Sequence, residues 1–355
     1  MLTRARPRRS LSALLLIAAL ALATPAAAVR LPPSFDFATP AFHIAAAPGG
    51  GLLVADAGAG IVRLRDRTET LVAALPGVTD VAPIVEGRMF AVTGGGPEPS
   101  LDAARLYQVG GGGRVTQIAD LRQFEATVNP DGSDVVDTNP FSVATLNDGR
   151  ALVADAGGNV LLTANEHGKV DWVALFPEEL VSTQNAKDLA GCPEPAPGFE
   201  FACDLPAMMP AQPVPTSIAI GPDGAWYVGE LKGFPAPTGE SRIWRVKPGT
   251  RHADCATSRA CSVVADGFTS IVDLNFGPDG TLYVTELDEA SWAAVEFGLG
   301  GLGGTVNACS SASWRCNVIA GELPMPMSAT VARDGRLYAL LLGLVPGSAE
   351  VVRLP

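Results

Sequence analysis

The chain has 355 residues, 47% of them hydrophobic and 17% charged, with 39 Gly and 29 Pro. That length holds one large core or two ordinary domains, and the Gly and Pro content, without a long 3.6-period apolar stripe, points to strands and turns with very little helix. A formal net charge of −12 leaves no basic face for phosphate and argues against nucleic acid as a partner.

Residues 1–28 have the pattern of a secretion signal. Arg4, Arg6, Arg8 and Arg9 form a basic start, residues 11–22 an apolar run too short to span a bilayer, and Ala26, Ala27 and Ala28 a small-residue cleavage site before Val29. Loss of the four arginines takes the charge from −12 to −16. The Arg8-Arg9 pair leaves twin-arginine and general export both open. The expected mature protein, residues 29–355, is a single domain, periplasmic or extracellular, monomeric and free of the membrane after cleavage.

One pattern then recurs six times: a small apolar strand, a turn ending in Gly, and a second apolar strand that usually finishes on a carboxylate. The copies lie at residues 40–56 (PAFHIAAAPGGGLLVAD), 79–93, 139–155 (NPFSVATLNDGRALVAD), 214–230 (VPTSIAIGPDGAWYVGE), 269–286 and 326–341. Their turn glycines, Gly50, Gly87, Gly149, Gly224, Gly280 and Gly335, are 37, 62, 75, 56 and 55 residues apart. Blades of four short strands need roughly 40–45 residues, and a unit of this kind buries its faces only against neighbours in a closed ring. The expected fold is an all-β, six-bladed β-propeller of the NHL/SMP-30-like kind. Its last repeat holds only three strands, so the start of the mature chain, around residues 34–39, is expected to supply the fourth and close the ring.

The first strand of each copy lines the axis, and the Pro-Asp-Gly or Asn-Asp-Gly turns lie on one face. The opposite, top face then receives two sets of residues. Seven positions before each turn Gly stand His43, Asp80, Ser142, Ser217, Asp273 and Ser328. Six positions after it stand Asp56, Thr93, Asp155, Glu230, Glu286 and Leu341. Polar residues at six corresponding places on Ala/Val/Ile strands mark the channel mouth as the candidate ligand site, with plain channel hydration as the competing reading. For Asp56 and Asp155, which begin Ala-Gly turns, capping of backbone N–H groups is the competing reading.

The six cysteines form three local pairs, Cys192/Cys203, Cys255/Cys261 and Cys309/Cys316. An exported chain with these spacings is expected to bridge each pair, since C-x2-C metal spacing is missing. The run 298–303 (GLGGLG) matches a dinucleotide fingerprint but has no βαβ unit around it, so no cofactor follows from it.

The segments ADAGGNVLLTANEHGKVDWVALFP (154–177), NPDGSDVVDTNPFSVA (129–144) and VPTSIAIGPDGAWYVGELKGFPAPTGESRIWRV (214–246) resemble the ScyD/ScyE family, exported proteins that accompany scytonemin biosynthesis clusters. The resemblance covers nearly the whole mature chain. It implies an NHL-like six-bladed propeller outside the cytoplasm and supplies no reaction. Likeness to gluconolactonase-like propellers is one of architecture.

Three functions are open at this level. One is a scaffold binding a small molecule or an extracytoplasmic protein through the top face and the loops at 94–104, 121–138, 178–212, 231–240 and 288–315. A second is a divalent-metal-dependent lactonase or related hydrolase, with Asp80, Asp273 and Asn139 as metal ligands, Ser142 and Ser217 beside them, and His43 as a base. A third is a structural calcium-binding protein using the oxygen-rich run Asp131, Ser133, Asp134, Asp137 and Asn139, which lacks EF-hand spacing.

Overall fold

The computed structural model describes residues 29–30, 37–66, 68–95 and 103–355. Residues 1–28, expected from their sequence to be a secretion signal, and part of the 94–104 loop lie outside the described residues.

The chain forms six blades in sequence order, each of four antiparallel strands, and the third blade gains a short parallel fifth strand, Ala253–Asp254, beside Val170–Leu175. Their inner strands are Ala41–Ala46, Val78–Val85, Pro140–Thr145, Pro215–Ile220, Ile271–Phe276 and Ser328–Val331. Each packs against the next, and the sixth against the first, which closes the ring. The last blade takes its fourth strand from the start of the expected mature chain: Val29–Arg30 pairs antiparallel with Glu350–Arg353, earlier than residues 34–39. Residues 34–36 of the expected segment lie outside the described residues, and Phe37 bridges to Ala349.

Strand alternation explains how small apolar residues build so large a core. Successive side chains point to opposite faces, so each second strand feeds two interfaces. Leu152 and Ala154 face the core shared with blade 4, while Ala151 and Val153 face that shared with blade 2. Trp226 and Val228 pack toward blade 3, and Tyr227 toward Leu282 and Val284 of blade 5. Each fully buried aliphatic side chain contributes about 1.5–3 kcal/mol, spread over six inter-blade cores among the described residues. The six turn glycines all have φ between 72° and 89°, and around Gly50, Gly87, Gly149, Gly224 and Gly335 an added Cβ would meet nothing within 4 Å. Backbone conformation, not crowding, therefore requires Gly there.

Helix is confined to Leu121–Val128, Gln184–Ala190, Glu200–Cys203 and Trp292–Glu296 among the described residues, apart from one 3-10 turn. The expected loop at 121–138 begins with the first of these, and that at 288–315 contains the third strand of blade 5, Gly304–Ser310. All three cysteine pairs are bridged: Cys192–Cys203, Cys255–Cys261 and Cys309–Cys316.

Candidate functional site

His43, Asp80, Ser142, Ser217, Asp273 and Ser328 each sit at the same level of an inner strand. What sets that level is a slip of register. In blades 1 to 5 one residue is left unpaired just before the ring position: Phe42, Thr79, Phe141, Thr216 and Val272. Such bulges re-aim the following side chain, and sequence alternation alone does not reveal them.

The ring is knit across blade boundaries. The Ser142 hydroxyl donates to Asp80 Oδ2 (2.9 Å), as does the Val143 N–H (2.8 Å), and the Ile218 N–H donates to Ser142 Oγ (3.2 Å). Blades 5, 6 and 1 repeat this arrangement. The Ser328 hydroxyl and the Ala329 N–H donate to Asp273 Oδ2 (2.8 and 2.9 Å), and the Ile44 N–H to Ser328 Oγ (3.2 Å). The ring thus has an approximate two-fold repeat, Asp-Ser-Ser in blades 2 to 4 and Asp-Ser-His in blades 5, 6 and 1.

The repeat is broken where His43 and Ser217 correspond. His43 reaches both carboxylates, with Nε2 at 3.1 Å from Asp80 Oδ1 and Nδ1 at 3.7 Å from Asp273 Oδ1. Ser217 is fully buried and its hydroxyl has no hydrogen-bond partner among the described residues. A Cβ on Gly229 would come within 2.5 Å of that hydroxyl, so only Gly fits opposite it. Burial pushes Asp80 up to about 6 against the opposing pull of His43, and raises Asp273 for the same reason.

Asn139 does not join Asp80 and Asp273. Its side-chain oxygen accepts from the Gly95 N–H (2.8 Å), tying blade 3 to the blade 2 loop. The outer carboxylates are likewise held by their own surroundings. Asp56 Oδ1 accepts from the N–H groups of Gly58 and Ala59 and from Thr39, and Asp155 Oδ1 from Asn139 N–H (2.7 Å) and Gly158 N–H (3.2 Å). Glu286 accepts from Thr305 (2.8 Å), Asn307 (2.6 Å) and the Thr269 N–H. Glu230 binds the Trp244 indole N–H and the Lys232 ammonium (2.8 Å).

Three charged side chains inside the protein escape a sequence reading, because charged residues in loops and short helices are ordinarily solvated. Lys232 is fully buried between Glu230 and Glu179 (2.7 Å), and Arg242 also binds Glu179. This anchors the ribbon Glu179–Ser182/Met208–Ala211 to blade 4. Glu125 is buried on the helix between blades 2 and 3. Burial, then the charges of Asp131, Asp155 and Asp137, push it up to about 7; at Asp155 burial outweighs the N–H donors and takes that group to about 7 as well. Asp288 receives the N–H groups of Ala290, Leu302 and Gly303, so the 298–303 glycines form a capped loop with no helix after them.

The top-face loops lock together. The Asn185 amide donates to Ala236 O (2.6 Å), Ala290 O (3.2 Å) and Ser291 Oγ (3.1 Å), and the Trp292 indole donates to Lys232 O (2.9 Å). Aromatic residues remain at their surface. Phe201 lies 6.2 Å from Phe234 and Phe199 5.7 Å from Phe297, with Phe201, Phe234 and Phe297 exposed. A cavity of about 320 Å³ lies elsewhere, on the hairpin side of blades 3 and 4, lined by Arg150, Lys169, Trp172, Trp226 and Arg251.

No protein-family profile and no curated protein matches the chain. Solved structures do. A protein of unknown function from Bacteroides thetaiotaomicron aligns with TM-score 0.57 at 11% identity, over 92% of this chain and 73% of that one. A gluconolactonase from Xanthomonas campestris aligns at 0.54 and 12%, over 92% of each chain. An oxidoreductase described as a glucose dehydrogenase, from Thermus thermophilus, aligns at 0.53 and 16%, over 90% and 98%. The chain shares with them the fold, a six-bladed β-propeller.

Proposed function

We propose that this protein is an exported binding protein whose loop-built top face holds a small molecule or a protein partner, and whose channel ring is a structural fastening. The observation behind the reading is the engagement of both ring carboxylates. Asp80 and Asp273 each accept from a serine hydroxyl and a backbone N–H of the following blade and face His43. A hydrolytic site needs carboxylate oxygens or a base turned toward substrate. The interlocked loops, with Phe201, Phe234 and Phe297 exposed on them, supply the rigid, partly apolar surface that recognition needs.

Export is favoured by the pattern of residues 1–28 and by the three disulfides. Among the described residues no helix is long and apolar enough to cross a membrane. We also assign the chain to the ScyD/ScyE family on its ADAGGN and GELKGFP segments. The second reading, a metal-dependent lactonase, draws on the shared architecture with the Xanthomonas gluconolactonase and on the His43, Asp80 and Asp273 constellation.

The test is to pass extracytoplasmic extract and a small-molecule library over wild-type protein and over a Phe201→Ser, Phe234→Ser, Phe297→Ser variant. Ligands kept by the first and lost by the second, with unchanged melting temperature, are expected. Equal retention by both, or metal-dependent lactone turnover by the wild type, overturns the reading.

A further inference from the structure

The helix Leu121–Val128 leads from blade 2 into blade 3, and the loop after it returns along the turn at residues 155–159. Three buried oxygens in this corner have no hydrogen-bond partner among the described residues: Glu125 Oε1, Thr138 Oγ1 and Asp155 Oδ2. All three residues are at least nine-tenths buried, at 2%, 2% and 0% exposure. Leaving one such group unpaired costs about 1–3 kcal/mol, and more for a carboxylate.

The two carboxylates share one patch of backbone. A Cβ on Gly158 would stand 3.3 Å from Glu125 Oε2 and 3.6 Å from the Asp155 carboxyl carbon, which puts these two atoms no more than 6.9 Å apart. A Cβ on Gly157 would overlap the Asp137 carbonyl oxygen at 1.7 Å. Gly157 and Gly158 thus let the 137–139 segment and Glu125 close on the 155–159 turn. No salt bridge among the described residues reaches Glu125, Asp131, Asp137 or Asp155, and the charges acting on Glu125 are those of Asp131, Asp137 and Asp155.

We propose that Glu125 and Asp155, completed by Thr138 and main-chain carbonyls of the 129–138 loop, bind one calcium ion outside the central channel. A hard cation with six to eight oxygen ligands accepts carboxylates, hydroxyls and carbonyls together. No three His, Cys, Asp or Glu side chains among the described residues form a ready coordination set, so the site has two charged ligands and draws the rest from neutral oxygens. Its role is to fasten the helix and the 129–138 loop to blade 3. It differs from a channel site at Asp80 and Asp273, and it does not depend on the binding role proposed for the top face.

The test is calorimetric titration of chelator-stripped full-length protein with calcium chloride, with melting temperature followed in calcium and in chelator. One equivalent of calcium and a rise of several degrees are expected. Glu125→Gln should weaken binding at least tenfold and abolish the rise while melting in chelator no lower than wild type, and Thr138→Val should weaken binding with the fold intact. Absence of binding by the wild type overturns the proposal. So does a shift that survives Glu125→Gln, or one abolished by Asp273→Asn instead.

Discussion

Asp80 and Asp273 stand three blades apart and do the same thing: each carboxylate oxygen Oδ2 accepts from the serine hydroxyl and the next backbone N–H of the following blade, Ser142 and Val143 for one, Ser328 and Ala329 for the other. Each therefore replaces, at one point of the ring, the hydrogen bonding that inner strands of different blades do not share. His43 then links the two halves through both carboxylates. A ring so connected resists opening at its axis, where apolar packing between small residues is thinnest.

The two-fold repeat gives a sharp contrast among the serines. Ser142→Ala and Ser328→Ala should each cost about 1–2 kcal/mol, since each strands a buried N–H and weakens a buried carboxylate. Ser217→Ala should be neutral or stabilising by up to about 1 kcal/mol, because it removes a buried hydroxyl that has no partner. Chemical denaturation of the three variants measures this. A Ser217→Ala loss equal to the others would contradict the assignment.

The channel should register in the pH dependence of stability. Asp80 is raised from 3.8 to about 6 by burial, so the folded state holds its proton more tightly than the unfolded chain. Its contribution is fully present below about pH 4 and is lost as pH rises to about 6. Asp80→Asn removes this titration. Its stability should fall less steeply over that window, by roughly 3 kcal/mol at about 1.36 kcal/mol per pH unit. Denaturant melts at pH 4, 5, 6 and 7 provide the comparison, and parallel curves would refute the linkage.

Lys232 should act as the pin of the top-face insertion. Lys232→Met leaves Glu230 buried with the Trp244 indole as its donor and the Arg242 guanidinium 3.9 Å away, too far to donate, and removes one of the two cations on Glu179. A loss of about 3–5 kcal/mol is expected. Adding Glu230→Gln should restore most of it, because the uncompensated charge is then gone. A single variant as stable as wild type would show that the pair anchors nothing.

The ring and its closure are legible in sequence because both follow from repetition. Six turn glycines and six polar positions at one fixed offset need no knowledge of long-range contacts. The closing strand lies earlier than expected, because a two-residue pairing at Val29–Arg30 has no periodicity to read. The fate of the outer carboxylates depends on local donors, as with the Gly58 and Ala59 N–H groups at Asp56. Glu125 and Lys232 are hidden for a different reason. Their burial comes from packing between blades and from an insertion folding back, neither of which leaves a mark in the neighbouring residues.

The most direct measurement is the melting temperature and lactone turnover of wild type, Asp80→Ala and Asp273→Ala side by side, with calcium, magnesium and zinc supplied in turn. A structural ring gives no turnover above background in any of them and a stability loss of about 3–5 kcal/mol in each variant. Metal-dependent turnover by the wild type, abolished in variants that melt where it does, would contradict a purely structural role.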